Sequence, residues 1–153
     1  LEIKKMAKSG AKIVFIDHIG LVRNMDKGVN QAMSIGFLTS SLKAMSKELG
    51  IPIVALCQLS RDVEKREIKR PSCADLRDSG RIEEDADVVA FVFRREYYTR
   101  KERPDENDPT YGMWKLKYDG LKNKAEIIID KNRNGECAIC NCYFDLEKMK
   151  FFE

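Results

Sequence analysis

Two short apolar runs with one helical stripe between them constrain this chain more than any other feature. Ile13-Val14-Phe15-Ile16 is the first run and Ile51 to Cys57 is the second. Between them Ile35, Leu38, Leu42, Met45 and Leu49 recur at spacings of 3, 4, 3 and 4, the period of one apolar helix face. Gly50 follows the last of these and Pro52 comes next, the order that ends a helix and starts a strand. Strand, helix, strand in that compass is a βαβ unit, whose strands must be parallel and joined by a right-handed crossover. Both strands then finish on one sheet edge. Asp17 and Gln58, the polar residues that end the two runs, are expected as neighbours at the carboxyl edge where open α/β sheets bind ligands. The first run is apolar in both pleat directions, as in a strand covered on two sides.

Upstream, residues 2 to 9 read as the last turns of a helix closed by Gly10. Downstream, residues 58 to 86 form a polar connection rich in arginine and lysine, longer than the usual ~4 to 6 residues, and loops of that length tend to be functional. Within it Arg77-Asp78-Ser79-Gly80 gathers a cation, small polar groups and a glycine, followed by a short helix at Arg81 to Asp85. Such a segment suits a phosphate met by backbone N–H groups and a guanidinium; read blandly, it is a solvated turn. Val88 to Phe93 is a further apolar strand. Residues 95 to 124 are charged, contain Pro104 and Pro109, show no sustained period and read as a surface insertion. Ala125 to Asp130 and Cys137 to Phe144 then flank Lys131-Asn132-Arg133-Asn134-Gly135, a hairpin signal, and Met149 to Phe152 supplies a last strand.

Composition excludes several classes. With 28 Lys+Arg against 25 Asp+Glu the net charge is +3, too small for a wholly electrostatic nucleic-acid binder, so any basic surface is local. No apolar run approaches the ~20 residues of a membrane helix. The charged start and five cysteines without framework spacing point to a cytoplasmic protein with reduced thiols. Cys137, Cys140 and Cys142 lack the second pair or neighbouring histidine of a zinc site, and strand alternation accounts for them better. His18, the one histidine, is expected to be structural.

Taken singly these features have bland readings: Asp17 as a turn residue, Gln58 as a strand-end hydrogen bonder, Lys131 and Arg133 as charges that guard a hairpin edge. Taken in order they resemble the C-terminal motor domain of DnaB-type replicative DNA helicases, RecA-like ATPases. The resemblance rests on Ile13 to Asp17, Leu56-Cys57-Gln58-Leu59-Ser60-Arg61, Lys69-Arg70-Pro71, Asp75 to Gly80, Glu83-Glu84-Asp85-Ala86-Asp87 and Lys131 to Gly135. It implies an α/β fold of RecA type, a mostly parallel sheet with flanking helices and a C-terminal antiparallel hairpin region, all of residues 1 to 153 belonging to one motor domain.

It also implies roles. Asp17 would support Mg²⁺ and the attacking water, and Gln58 would sense the γ-phosphate. Arg77, Asp78 and Gly80 would hold the single-stranded DNA backbone, and Lys131 and Arg133 would complete the ATP site of an adjacent subunit in a homo-hexamer. Primase and a helicase loader are the implied protein partners. No G-x-x-x-x-G-K-[ST] occurs, so the phosphate cradle and the catalytic glutamate are expected upstream, and this stretch alone is expected not to hydrolyse ATP. Where the family continues Tyr-Leu-Gln after the aspartate, this chain has His18-Ile19-Gly20. The alternatives are another RecA-like hexamer, such as a phage or organellar helicase, and a non-enzymatic single-strand binder on the same fold.

Overall fold

The computed structural model describes residues 2–21, 31–76 and 80–153. The polar stretch from Arg23 to Asn30 and the residues Arg77, Asp78 and Ser79 lie outside them. The chain divides into two compact units, residues 1–65 with 72–87, and residues 66–71 with 88–153.

In the first unit, helix α1 (Glu2–Lys8) ends as the sequence indicates. Gly10 adopts φ 94°, its N–H bonds the Ala7 carbonyl at 3.0 Å, and the Ala11 N–H bonds that of Met6 at 3.0 Å. These two bonds form a Schellman cap, which needs a left-handed residue that glycine reaches without strain. Strand β1 (Val14–Ile16), helix α2 (Gln31–Leu49) and strand β2 (Ile53–Ala55) make the expected βαβ unit. β1 and β2 are parallel, with Val14 opposite Ile53 and Ile16 opposite Ala55. Val14 is buried, as are Ile35 and Leu42 of α2, whereas Phe15 is 68% exposed. The described residues thus cover one face of this strand pair, where the apolar sequence indicates two.

Helix α3 (Gly80–Asp85) docks on α2 through polar contacts. The hydroxyls of Thr39 and Ser40 donate to Asp85 at 2.6 and 2.9 Å, and Lys43 pairs with Asp87. The stretch between β2 and α3 is ordered by two 3-10 turns, Arg61–Lys65 and Cys73–Asp75. In the second of these the buried Asp75 accepts from the Ser72 N–H at 2.9 Å. A bridge from Leu59 to Leu76 pins the two ends of the stretch together.

In the second unit, β3 (Val88–Phe93), β4 (Lys124–Asn132), β5 (Ala138–Asp145) and β6 (Lys150–Phe152) form one antiparallel sheet in that order. The hairpin region is therefore larger than sequence indicates, because β3 joins it. The unbroken apolar run of β3 hides an alternation: Val89, Phe91 and Phe93 are buried while Val88 and Val92 are exposed.

Residues 95 to 124 hold two helices, α4 (Arg95–Lys101) and α5 (Tyr111–Leu121). The period escapes an aliphatic pattern search because aromatic rings carry it. Tyr111 meets Trp114 at 5.5 Å, and Trp114 stacks on Tyr118 at 5.3 Å. The Trp114 indole N–H donates to the Thr99 carbonyl at 2.7 Å, tying α5 to α4. Glu96, 5% exposed, is the anchor: it accepts from Arg94 at 3.0 Å, from the Tyr118 hydroxyl at 3.2 Å and from the Asn123 N–H at 3.2 Å. A buried carboxylate is tolerable only when paired and hydrogen-bonded in this way.

Candidate nucleotide and DNA site

Asp17 follows the last residue of β1 and is exposed. Its position is fixed from behind. The Ile19 N–H donates to the Leu56 carbonyl at 3.0 Å, and Ile19, 2% exposed, plugs the core at the start of a one-turn helix that ends at Leu21. The Asp17–His18 peptide is cis. Asp17 is thus an exposed carboxylate directly beyond a strand end.

Gln58 is also exposed and lies three residues beyond the end of β2. The Leu56 N–H bonds the Ile16 carbonyl at 2.9 Å on one side of it, and the Leu59 bridge to Leu76 holds the other. The parallel register thus brings Asp17 and Gln58 to the same end of the strand pair, as the βαβ reading requires. Gly80 is the first residue of α3, and apart from its chain neighbours and its own helix backbone a Cβ there would meet nothing within 4 Å among the described residues. The space beside it is open. Arg77 and Asp78, the other expected DNA contacts, lie outside the described residues.

Lys131 and Arg133 belong to the second unit, at the far end of β4. A bulge at Asp130 shifts the register at Lys131. Ile129 pairs with Ala90, yet Lys131 pairs with Val89 and Asn132 with Val88, so one residue of β4 is extra. Uninterrupted register would set Lys131 opposite Val88. Bulges re-aim side chains in this way and favour the neighbourhood of functional residues. Arg133 is exposed in the turn that follows. Nothing in the residue pattern announces the bulge, which only the strand pairing reveals.

Among the described residues no group of three or more His, Cys, Asp or Glu is placed to hold a metal ion, and the five cysteines form no disulfide. No described helix is long and apolar enough to cross a membrane. Elsewhere on the second unit a cavity of about 360 Å³ is lined by Phe93, Arg95, Lys124, Glu126 and Tyr143 among others.

A βαβ unit with polar residues at its carboxyl edge, together with an antiparallel sheet whose hairpin carries paired cations, defines a RecA-like α/β domain. The model of the DnaB-like helicase C terminal domain matches residues 1–153, and the chain belongs to that family. The chain is 44% identical over 144 residues to the replicative DNA helicase DnaB of Rickettsia typhi, a match covering 94% of this chain and 29% of that protein. Against the DnaB of Geobacillus stearothermophilus it is 39% identical over 145 residues, covering 94% and 28%.

Two solved structures are similar. One is a DnaB-like replicative helicase described with its interactions with primase, at TM-score 0.79 and 31% identity, covering 98% of this chain and 32% of that one. The other is described as an ATPase domain, at TM-score 0.78 and 31% identity, covering 98% and 48%. The chain spans under a third of the length of these curated relatives.

Proposed function

We propose that this chain is part of the motor of an ATP-driven replicative helicase, a homo-hexamer that translocates on single-stranded DNA and unwinds duplex. The observation that carries the reading is the arrival of Asp17 and Gln58 at one end of the parallel strand pair, each exposed and each fixed by backbone bonds. A carboxylate there suits Mg²⁺, which is commonly held by one or two carboxylates together with waters and phosphate oxygens rather than by an all-protein cage. The single carboxylate of Asp17 fits that chemistry, and bound MgATP would supply the phosphoryl group to be cleaved.

The chain's own residues then divide the work. Asp17 holds a water or the metal's hydration shell in place. Gln58, an amide that both donates and accepts, registers whether a γ-phosphate is present, and the Leu59 to Leu76 bridge ties its backbone to the segment that leads into Arg77, Asp78 and Gly80. Those three contact the DNA backbone, and because phosphate contacts carry no sequence information the binding is sequence-tolerant and salt-dependent. Lys131 and Arg133 reach the nucleotide of the adjacent subunit, where a trans arginine stabilises transition-state charge. Primase and a loader are the protein partners that this reading assigns to the complete protein.

The test uses the complete protein. Asp17→Asn should reduce ATP hydrolysis at least about 100-fold while the hexamer still forms. Full hydrolysis in that variant rejects the assignment, and a chain that binds single strands without any nucleotide dependence would instead be the non-enzymatic binder.

A further inference from the structure

The β4–β5 ladder stops early. Its last pair is Ile129 with Ala138, although β4 runs on to Asn132 because its other edge is still paired to β3. Along residues 130–137 the edge facing β5 has no ladder, and side chains take over the bridging. The Asn132 amide nitrogen donates to the Glu136 carbonyl at 3.2 Å, and the Asn134 N–H donates to the Asn132 amide oxygen at 3.4 Å. The Cys137 thiol donates to the Asp130 carbonyl at 3.3 Å. A Cβ on Gly135 would stand 2.8 Å from the Asn132 amide nitrogen, so the amide occupies room that exists only because residue 135 is glycine. One amide therefore reaches past Arg133 from residue 132 and is tied to the backbone at residues 134 and 136, closing the turn around Arg133. A side chain with both a donor and an acceptor is required, and a carboxylate supplies only the acceptor.

We propose that Asn132 is a positioning residue: it staples the turn so that Arg133, and Lys131 behind the bulge, are held in the direction in which they meet the neighbouring subunit's nucleotide. This rests on the reading of Lys131 and Arg133 as trans-acting cations. Residues that orient a catalytic group act on the transition state more than on ground-state binding, so the expected effect falls on kcat.

The test is steady-state ATP hydrolysis by the complete, assembled protein. Asn132→Ala and Asn132→Asp should lower kcat about 10-fold to 100-fold, with KM for ATP changed less than about 3-fold. Asn132→Gln, which keeps donor and acceptor, should retain kcat within about 3-fold. Gly135→Ala should reproduce the Asn132→Ala defect, because its methyl displaces the amide. Arg133→Ala is measured alongside. If it still hydrolyses ATP, the trans reading fails and the staple with it. If Arg133→Ala is inactive and Asn132→Ala is unimpaired, the staple alone is wrong. Loss of assembly and of ATP affinity together with kcat in Asn132→Ala would show a folding role and also overturn the proposal.

Discussion

At the scale of single residues, the two polar groups at the strand ends and the hairpin cations should fail in different ways. Arg133→Ala in the complete protein should abolish ATP hydrolysis while leaving nucleotide binding largely intact, a loss of about 10³-fold or more for a trans arginine. Equilibrium binding of a fluorescent ATP analogue beside a phosphate-release assay checks both halves. Gln58→Ala should leave DNA-independent hydrolysis closer to normal and weaken its stimulation by single strands, read from the same assay with and without oligonucleotide. Arg77→Ala should weaken single-strand binding and flatten its dependence on salt by about one unit of slope, measured by titration at several ionic strengths. The places of Asp17, Gln58 and the two hairpin cations in the fold are legible in the sequence, because each sits next to a local signal: the end of an apolar run, or an Asn-Gly turn. The contacts of Asn132 are not, since they depend on a ladder that ends at Ile129 and on a glycine three residues later.

At the scale of elements, the α4–α5 pair stands or falls with Glu96. Glu96→Ala leaves Arg94 and the Asn123 N–H without their acceptor, and should destabilise the fold by about 3 kcal/mol, seen as a lower urea midpoint. Tyr118 adds a pH signature. Burial, aided by the Glu96 charge, holds its hydroxyl above the ordinary value of 10.0. The unfolded chain therefore ionises first as pH rises, so this contribution is complete below pH 10.0 and is lost as pH climbs through the higher folded value. Tyr118→Phe should remove that part of the alkaline decline in urea titrations, whereas an unchanged decline would contradict it.

The caps at Gly10 and Gly50 were readable because a left-handed C′ residue is a local requirement, and both have positive φ. The antiparallel partner of β3 was not readable, because an apolar run carries no record of which edge it pairs with. The α4–α5 pair is not readable from aliphatic spacing because its repeat is written in Tyr111, Trp114 and Tyr118 on an otherwise charged background.

At the scale of the whole molecule, the proposed motor has neighbouring subunits share each ATP site, one contributing Asp17 and the next contributing Arg133. Contacts of this head-to-tail kind close into rings when the rotation between subunits closes. The homo-hexamer enters through the family resemblance alone, since nothing in one chain's periodicity encodes its neighbours. The most direct measurement mixes two inactive forms of the complete protein, Asp17→Asn and Arg133→Ala, and follows DNA-independent ATP hydrolysis. In randomly mixed rings at equal proportions about a quarter of the interfaces pair an intact Asp17 with an intact Arg133, so hydrolysis should return toward about that fraction of the wild-type rate. Mixtures as inactive as their parents would place both residues in the same site of one subunit and contradict the shared-site arrangement.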